Sequence, residues 1–335
     1  MQKTRIVIVS PALHDANNGN WQTARRWQQL LAPTYAVRIV GQWPDARASG
    51  ADRAMLALHA LRSAPSIRAW AGGRDREAPG LAVVLTGTDL YRDILEHRDA
   101  QASLRLAQQL VTLQECGPDA LPPGLRSKAC VIYQSTTPRQ FLPKTARHLR
   151  VVVVGHLRPE KAPGTVFELA RLLRPHADIL IDHVGAALEP ALGRLAAQTA
   201  RACPAYRWIG AQPHEATRRR IQRAHVLLHP SRMEGGAHVV MEAVRSGTAV
   251  VASRVSGNIG MLGRDYAGYF DPGDAAGAAK LLLQCRYGPS GSGSDMLGRL
   301  MLQCQARAPL FDAASERVQL IRLVGELVAS HAPGT

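Results

Sequence analysis

Short apolar, β-branched runs alternate with polar or helical stretches along the whole chain, and this alternation constrains the fold more than any other feature. It is typical of α/β domains in which helices cover both faces of a parallel sheet. The predicted strands of a first series are 5–10, 35–40, 54–60, 81–85, 110–113 and 129–134. A second series restarts the pattern at 151–155, 178–182, 206–209, 225–229 and 249–253. The sequence therefore predicts two doubly wound α/β domains.

A basic segment with two prolines, PRQFLPKTARHLR, separates the two series and has the composition of a linker. We place the domain boundary near residue 148. The 335 residues suffice for two domains of about 150 residues each. We expect domains over 1–148 and 149–311, and a helix over 312–330 that either caps the second domain or crosses back onto the first. The segment GPSGSGSD at 288–295 is expected to be a flexible surface loop.

The chain is strongly basic, with 41 lysines and arginines, 26 aspartates and glutamates and a net charge of +15. An anionic partner is therefore expected. Nucleic acid is disfavoured because only 5% of residues are aromatic and no basic stretch is interleaved with them. The run Arg218, Arg219 and Arg220 is interpreted as a solvated helix face. Without a membrane-spanning run or a signal-peptide pattern, we expect a cytoplasmic protein that binds a phosphate-bearing small molecule and no membrane.

The stretch HPSRMEGGAHVVMEAVRSGTAVVAS carries the richest functional pattern. A predicted strand is followed by the pair Gly235 and Gly236 and by an apolar helix that begins near Ala237. Free backbone amides at such a helix start bind anions. Glu234 and Glu242 add carboxylates, which accept hydrogen bonds from sugar hydroxyls. Either glutamate alone fits an ordinary residue before a helix or on a solvated helix face, but the combination favours a sugar-nucleotide site.

This stretch, followed by GNIGMLG, resembles the nucleotide-sugar-binding half of the family-four glycosyltransferases with the GT-B fold. The resemblance implies two Rossmann-like domains that face a cleft. It also implies that Glu242 binds the ribose hydroxyls of the donor and that amides at the Ala237 helix start bind the diphosphate. Glu234, Gly235 and Gly236 are implied to bind the donor sugar.

A basic loop lies in VVVVGHLRPEKAPG, directly after a predicted strand. In the family that the chain resembles, an arginine and a lysine in this loop neutralise the departing diphosphate. Lys161 keeps the lysine position, whereas His156 stands where the arginine is usual, and we expect Arg158 to supply the second cation. His156 is a candidate donor of a proton or a hydrogen bond, and an ordinary basic surface loop is the alternative. Since the sequence has no D-x-D motif, we expect no metal and no other cofactor, with cations and helix dipoles stabilising the leaving group.

Five segments narrow the resemblance: GHLRPEKAP, TGTDLYRDI, LHALRSAPSI, EGGAHVVMEA and GNIGMLGRDYAGYF are similar to segments of the selenosugar synthases of selenoneine biosynthesis. That family joins a UDP-sugar, typically UDP-N-acetylglucosamine, to selenophosphate and gives a 1-selenosugar, UDP and phosphate. The resemblance implies a selenophosphate-supplying enzyme and a selenoneine-forming enzyme as functional neighbours. The alternative functions are an ordinary family-four glycosyltransferase with a thiol, alcohol or lipid-linked acceptor, and a basic nucleic-acid-binding protein.

Selenophosphate is a small polyanion and a good nucleophile, so its site needs cations and hydrogen-bond donors more than a strong base. The expected acceptor-binding residues follow the third and fourth predicted strands and are His59, Arg62, Ser63, Thr86, Thr88 and Asp89. His59 is also a catalytic candidate. Gly19 and Asn20, in the segment NNGNW, are expected to present backbone amides to the donor. The structural alternatives are an N-cap role for Asn20 and Asp89 and a hydrogen-bonded strand-end role for His59.

Overall fold

A computed structural model of the protein describes residues 2–12, 19–47, 50–74, 76–288 and 295–330. The chain divides into two compact units. The first comprises Met1–Ser135 and Asp312–Thr335, and the second comprises Thr136–Phe311. Residues 289–294 of the predicted glycine- and serine-rich loop, and Asn17 and Asn18 of the segment NNGNW, lie outside the described residues.

The first unit is built on a parallel sheet with the strand order β2-β1-β3-β4-β5-β6. Its strands are β1 (Arg5–Val9), β2 (Ala36–Val40), β3 (Asp52–Leu58), β4 (Leu81–Leu85), β5 (Gln109–Thr112) and β6 (Ala129–Val131). Its helices are α1 (Gly19–Leu31), α2 (Ala64–Ala71), α3 (Ile94–Glu96), α4 (Arg98–Leu106) and α12 (Ala313–Ser330), and a π-helical turn, Asp89–Asp93, precedes α3. The central strands are continuous buried apolar runs, because helices cover both faces of the sheet.

The second unit is built on another parallel sheet, with the order β12-β11-β10-β7-β8-β9. Its strands are β7 (Leu149–Val154), β8 (Ile179–Val184), β9 (Tyr206–Gly210), β10 (Val226–His229), β11 (Ala249–Ser253) and β12 (Tyr269–Phe270). Its helices are α5 (Pro163–Leu172), α6 (Pro190–Ala202), α7 (His214–Arg223), α8 (His238–Val244), α9 (Ser256–Leu262), α10 (Ala275–Tyr287) and α11 (Met296–Arg307). Because β10 pairs with β7, the loops that follow these two strands are neighbours at the carboxyl edge of the sheet.

Each predicted strand overlaps an observed one, but two details differ. The two-residue strand β12 was not expected, since so short a run carries no readable alternation. Strand β6 ends at Val131, short of the predicted 134. Beyond it the chain leaves the sheet: Gln134 donates a hydrogen bond to Thr23 of α1, and the Ser135 amide donates to Glu316 of α12.

The basic linker predicted around residue 148 belongs to the second unit, and the division falls between Ser135 and Thr136 instead. Hydrogen bonds hold the segment there. The Lys144 ammonium donates to the carbonyls of Gln222 and Ala224, and the Arg139 amide donates to the Arg245 carbonyl. A proline-rich, basic composition therefore marks a segment that is structured by the unit it leads into.

The carboxy-terminal helix α12 belongs to the first unit. Its buried face, Leu320, Leu323, Val324 and Leu327, packs in one apolar cluster with Trp27 and the inner residues of β1 and β3. Buried Glu316 accepts hydrogen bonds from Arg26, from the Trp27 indole and from Ser135. Across the described ranges, no helix is long and apolar enough to cross a membrane.

Candidate functional site

Lys161 and Glu234 meet at the carboxyl edge of the second sheet. Lys161 ends a short 3-10 turn after β7, Glu234 lies between β10 and α8, and the Lys161 ammonium donates a hydrogen bond to Oε1 of Glu234. Nε2 of His229, the last residue of β10, lies 3.1 Å from the same oxygen. Glu234 is only 8% exposed. Burial opposes its ionisation, but Lys161 and His229 outweigh that effect and hold the pKa of this carboxyl well below its usual range.

The loop that carries Glu234 fits closely against α9. A Cβ atom on Gly257 would lie 1.9 Å from the Glu234 carbonyl oxygen, so only glycine allows this approach. The amides of Gly235 and Gly236 donate to no acceptor among the described residues. The Ala237 amide, expected to be free for a diphosphate, instead donates to Sδ of Met261 at 3.1 Å. The glycine pair therefore offers the unused backbone donors at this helix start.

Glu242 is buried, with 3% of its surface exposed, and is not the solvated helix-face residue that was its alternative. Its Oε1 lies 2.6 Å from Nε2 of His214, the first residue of α7. The Arg218 guanidinium, one turn along α7, lies 3.8 Å from the same carboxylate. The hydrogen bond with Glu242 raises the pKa of His214. A histidine and an arginine of α7 thus contact the carboxylate that the family resemblance assigns to the ribose.

The sequence analysis does not identify His214 or His229 as site residues, and it interprets Arg218 as part of a solvated helix face. The structure shows instead that the Arg218 side chain is largely buried and donates hydrogen bonds to the carbonyl and hydroxyl of Thr137. Helical spacing offered one signal, since positions 214 and 218 are one turn apart on the same face of α7. The position of His229 at the carboxyl end of a predicted strand was the other.

The loop after β7 also places His156 and Arg158. Nδ1 of His156 accepts a hydrogen bond from the Ala186 amide at 3.1 Å, so its Nε2 carries the proton in the neutral ring. Desolvation and the cations Arg158 and Lys161 lower the pKa of His156. His156 is therefore a hydrogen-bond donor rather than a replacement cation. Arg158 lies 3.8 Å from Glu160, a surface contact that leaves it able to meet an anion.

His59 directly follows the last residue of β3 in the first unit and is 2% exposed. Its backbone is in the left-handed region, with φ +73°. Nε2 lies 3.3 Å from Oγ1 of Thr88 and 3.6 Å from Asp93, and Nδ1 accepts from the Arg62 amide. Burial lowers the pKa of His59, against the opposing effect of Asp89. The ring is enclosed and hydrogen-bonded, which matches the strand-end alternative as well as an acceptor site.

Asp89 is fully buried and joins the loops after β3 and β4. Its Oδ1 accepts from the amides of Thr86 and Gly87, both at 2.9 Å, and its Oδ2 accepts from the Ala60 amide at 3.0 Å. The Ser63 hydroxyl is likewise committed, donating to the Leu58 carbonyl at 2.6 Å. These contacts differ from the N-cap role that was the structural alternative for Asp89, and they occupy the carboxylate proposed for the acceptor with backbone donors of the two loops.

Of the remaining first-unit candidates, Arg62 is the most available. It is exposed, and its guanidinium contacts no acceptor among the described residues. The Thr88 hydroxyl is half-buried beside His59. Gly19 is the exposed first residue of α1, and half-buried Asn20 follows it. The structure therefore brings His59, Thr88 and Asp89 together in the first unit, and Lys161, Glu234 and His229 together in the second.

Residues 134–285 match the family described as Glycosyl transferases group 1. The matched range contains Lys161, Glu234 and Glu242 and lies almost entirely within the second unit. No curated protein matches the chain in sequence.

The fold is similar to those of several solved structures. Sucrose-phosphate synthase from Thermosynechococcus elongatus aligns with a TM-score of 0.75 at 16% identity, covering 98% of this chain and 100% of that one. HepE from Anabaena in complex with UDP and glucose aligns with a TM-score of 0.71 at 14% identity, covering 96% and 99%. The trehalose-phosphate synthase of Burkholderia xenovorans aligns with a TM-score of 0.62 at 13% identity, covering 81% and 73%. These likenesses confirm the predicted GT-B fold with two Rossmann-like domains.

Proposed function

Because residues 134–285 match the Glycosyl transferases group 1 family, we propose that the protein transfers a sugar from a UDP-sugar to a small anionic acceptor. The observation that carries this proposal is the Lys161–Glu234 pair beside the unused amides of Gly235 and Gly236. A cation and backbone donors suit a diphosphate, and an ionised carboxylate suits sugar hydroxyls. HepE, which shares the fold, has been crystallised with UDP-glucose.

Each candidate site residue of the second unit has a role in this reaction. Lys161 and Arg158 neutralise the charge that develops on UDP as the bond from the anomeric carbon to the phosphate oxygen breaks. His156 donates a hydrogen bond from Nε2 to the same leaving group. Glu234 accepts hydrogen bonds from the donor sugar, and Glu242 accepts them from the ribose. The transfer needs no metal, so we expect turnover to persist in a chelator.

For the acceptor we propose selenophosphate, with N-acetylglucosamine as the transferred sugar. The support is the set of five sequence segments that resemble those of selenosugar synthases, which fall in both units, and the exposed guanidinium of Arg62, whose charge acts on His59. The selenium lone pair attacks the anomeric carbon, a carbon–selenium bond forms, and UDP leaves with the electrons of the broken bond. Water then cleaves the selenium–phosphorus bond and gives the 1-selenosugar and phosphate.

The direct test is anaerobic incubation of the protein with UDP-N-acetylglucosamine, with and without selenophosphate. UDP release that requires selenophosphate, together with a hexosamine product that shows the selenium isotope pattern by mass spectrometry, supports the proposal. Glu242→Ala should weaken UDP binding, while Glu168→Ala, which changes an exposed glutamate of α5, should not. UDP binding without a selenium-containing product contradicts the acceptor and leaves an ordinary glycosyltransferase with a thiol, alcohol or lipid-linked acceptor.

Nucleic-acid binding, the alternative suggested by the net charge of +15, predicts a different behaviour. Affinity for an oligonucleotide would fall steeply with salt. A donor site predicts stabilisation by UDP that follows its concentration relative to Kd. Thermal unfolding with UDP and with a single-stranded oligonucleotide, each at two salt concentrations, separates the two functions.

A further inference from the structure

The second unit holds a cavity of about 580 Å³ beside the amino ends of β7 and β10. These are the opposite ends of the strands from those that carry the Lys161 and Glu234 loops, so the cavity is separate from the proposed donor site. The segment before β7, residues of β7 and β8, and one face of α7 form its wall. The lining residues are Pro143, Lys144, Thr145, His148, Arg150, Val152, Asp182, Ala216, Arg219, Arg220, Arg223 and His225.

Positive charge in this lining far exceeds negative charge. The lining has five lysines and arginines and one carboxylate, buried Asp182, and one of the five, Arg219, pairs with Glu215 of the same helix. Asp182 is shared: it lies 3.3 Å from Arg150 and 3.7 Å from Arg220, and it accepts hydrogen bonds from Arg207. One carboxylate divided among three guanidinium groups leaves most of their charge uncompensated.

Lys144 and Arg223 have even less compensation. Among the described residues, the Lys144 ammonium has only neutral carbonyls as partners, and burial lowers its pKa to about 8. The Arg223 guanidinium contacts no acceptor among the described residues. Burial lowers the pKa of His225, and Lys144, His148 and Arg150 lower it further, as a positive local field does.

We propose that this cavity binds a small ligand with two or more phosphoryl groups. Guanidinium groups form paired hydrogen bonds with phosphate oxygens, and Arg150, Arg220 and Arg223 present three such groups around one space. The volume exceeds the need of a single inorganic phosphate. A concave wall without aromatic stacking residues, other than the histidines, favours a small polyphosphate over a nucleic-acid strand.

Substitutions in α7 can distinguish the proposed polyphosphate cavity from the donor site. Arg220 and Arg223 lie in the last turn of α7, whereas His214 and Arg218, which contact Glu242, lie nearer its start. Arg220→Gln/Arg223→Gln should therefore leave UDP binding intact. The matched control is Arg201→Gln/Arg299→Gln, which removes the same charge from exposed positions on α6 and α11.

The experiment is isothermal titration calorimetry with sodium tripolyphosphate and with orthophosphate at 150 mM salt, without UDP and with UDP at saturation. We expect one tripolyphosphate per chain, weaker orthophosphate binding, and an affinity for tripolyphosphate about tenfold lower in Arg220→Gln/Arg223→Gln but unchanged in the control. Arg223→Gln alone, an exposed substitution, should show part of this loss.

Three titration results would overturn the proposal. They are no tripolyphosphate binding at millimolar concentration, equal weakening in the control variant, and competition between tripolyphosphate and UDP. Tighter binding of a labelled oligonucleotide, or of phosphatidylglycerol vesicles, through the same arginines would also overturn it in favour of a macromolecular or membrane partner. Because tripolyphosphate is first titrated alone, a protein that fails to bind UDP contradicts the proposed function without affecting this result.

Discussion

Lys161 donates a hydrogen bond to Glu234, and this ion pair joins the loop after β7 to the loop after β10. The two residues stand 73 positions apart in the sequence and meet because β7 and β10 pair in the sheet. The side chain proposed to neutralise the leaving diphosphate is therefore also the partner of the carboxylate proposed to bind the sugar. Substitutions here should affect stability as well as turnover.

Lys161→Ala should lower kcat more than it weakens UDP binding, since the ammonium acts mainly on charge that develops during bond breaking. It should also lower the free energy of unfolding by about 3 kcal/mol, because Glu234 is left buried beside His229 alone. Urea unfolding and steady-state kinetics measure the two effects. Lys280→Ala, an exposed lysine of α10, is the control. Full turnover in Lys161→Ala would exclude the leaving-group role.

The Glu234 carboxylate should make stability depend on acid pH. Its pKa is held below the usual range when folded and returns to about 4.3 when unfolded, so its contribution is complete above that value and is lost as pH falls. The difference in Tm between the wild type and Glu234→Gln should be constant from pH 5 to pH 8 and shrink below pH 4. A difference that grows in acid would contradict the ion pair.

The contact of His214 with Glu242 should make stability depend on pH in the opposite direction, with stability lost as pH rises. The pKa of His214 is raised by Glu242, so the stability that the pair adds is complete below the unfolded value of about 6.5 and is lost as pH rises through the folded value. Thermal unfolding of His214→Gln against the wild type at pH 5.5, 7 and 8.5 checks this. His97→Gln changes an exposed histidine without a carboxylate partner in the described ranges and serves as the control. An effect of His214→Gln that is equal at all three pH values would count against the pairing.

Gly257→Ala should destabilise the second unit by about 2 kcal/mol and weaken UDP binding, because the new Cβ collides with the Glu234 carbonyl. Gly164→Ala in α5 is the matched control. A Cβ there meets nothing within 4 Å, and alanine favours a helix, so Gly164→Ala should keep or slightly raise Tm. Unchanged UDP affinity in a folded Gly257→Ala would separate α9 from the donor site.

Asp89→Asn should lower the free energy of unfolding by about 2 kcal/mol, since an amide group would face backbone donors that now share the carboxylate. Asp99→Asn, which changes an exposed carboxylate that pairs with Arg68 at the surface, should change stability little. Urea unfolding with turnover per folded molecule distinguishes the roles. Loss of turnover at full stability would show that Asp89 acts in catalysis rather than in holding the loops.

The strands were predictable because buried parallel strands are continuous apolar runs, as in LAVVL of β4 and AVVAS of β11. The position of the division between the units was not predictable. It depends on carbonyl groups at the end of α7 that accept hydrogen bonds from the Lys144 ammonium, and no local composition encodes these contacts.

The positions of the candidate site residues at strand ends were predictable, but their side-chain partners were not. Glu234 and Glu242 were proposed from the motif and its spacing and Lys161 from the family resemblance, whereas the contact of Glu242 with His214 depends on how α7 and α8 pack. The fixing of Asp89 by three amides likewise depends on how two loops approach each other. Side-chain partners are set by tertiary geometry, and a linear pattern of residues contains little of it.

The return of α12 to the first unit has a consequence for how the protein is made. A ribosome delivers β1 to β6 first, then all of the second unit, and only at the end the helix whose Leu320 and Leu327 pack with Trp27. The nascent first unit therefore exposes that apolar surface throughout the synthesis of Thr136–Phe311, while the second unit emerges as one uninterrupted stretch of chain. The part of the protein that is translated first is the last to complete its core.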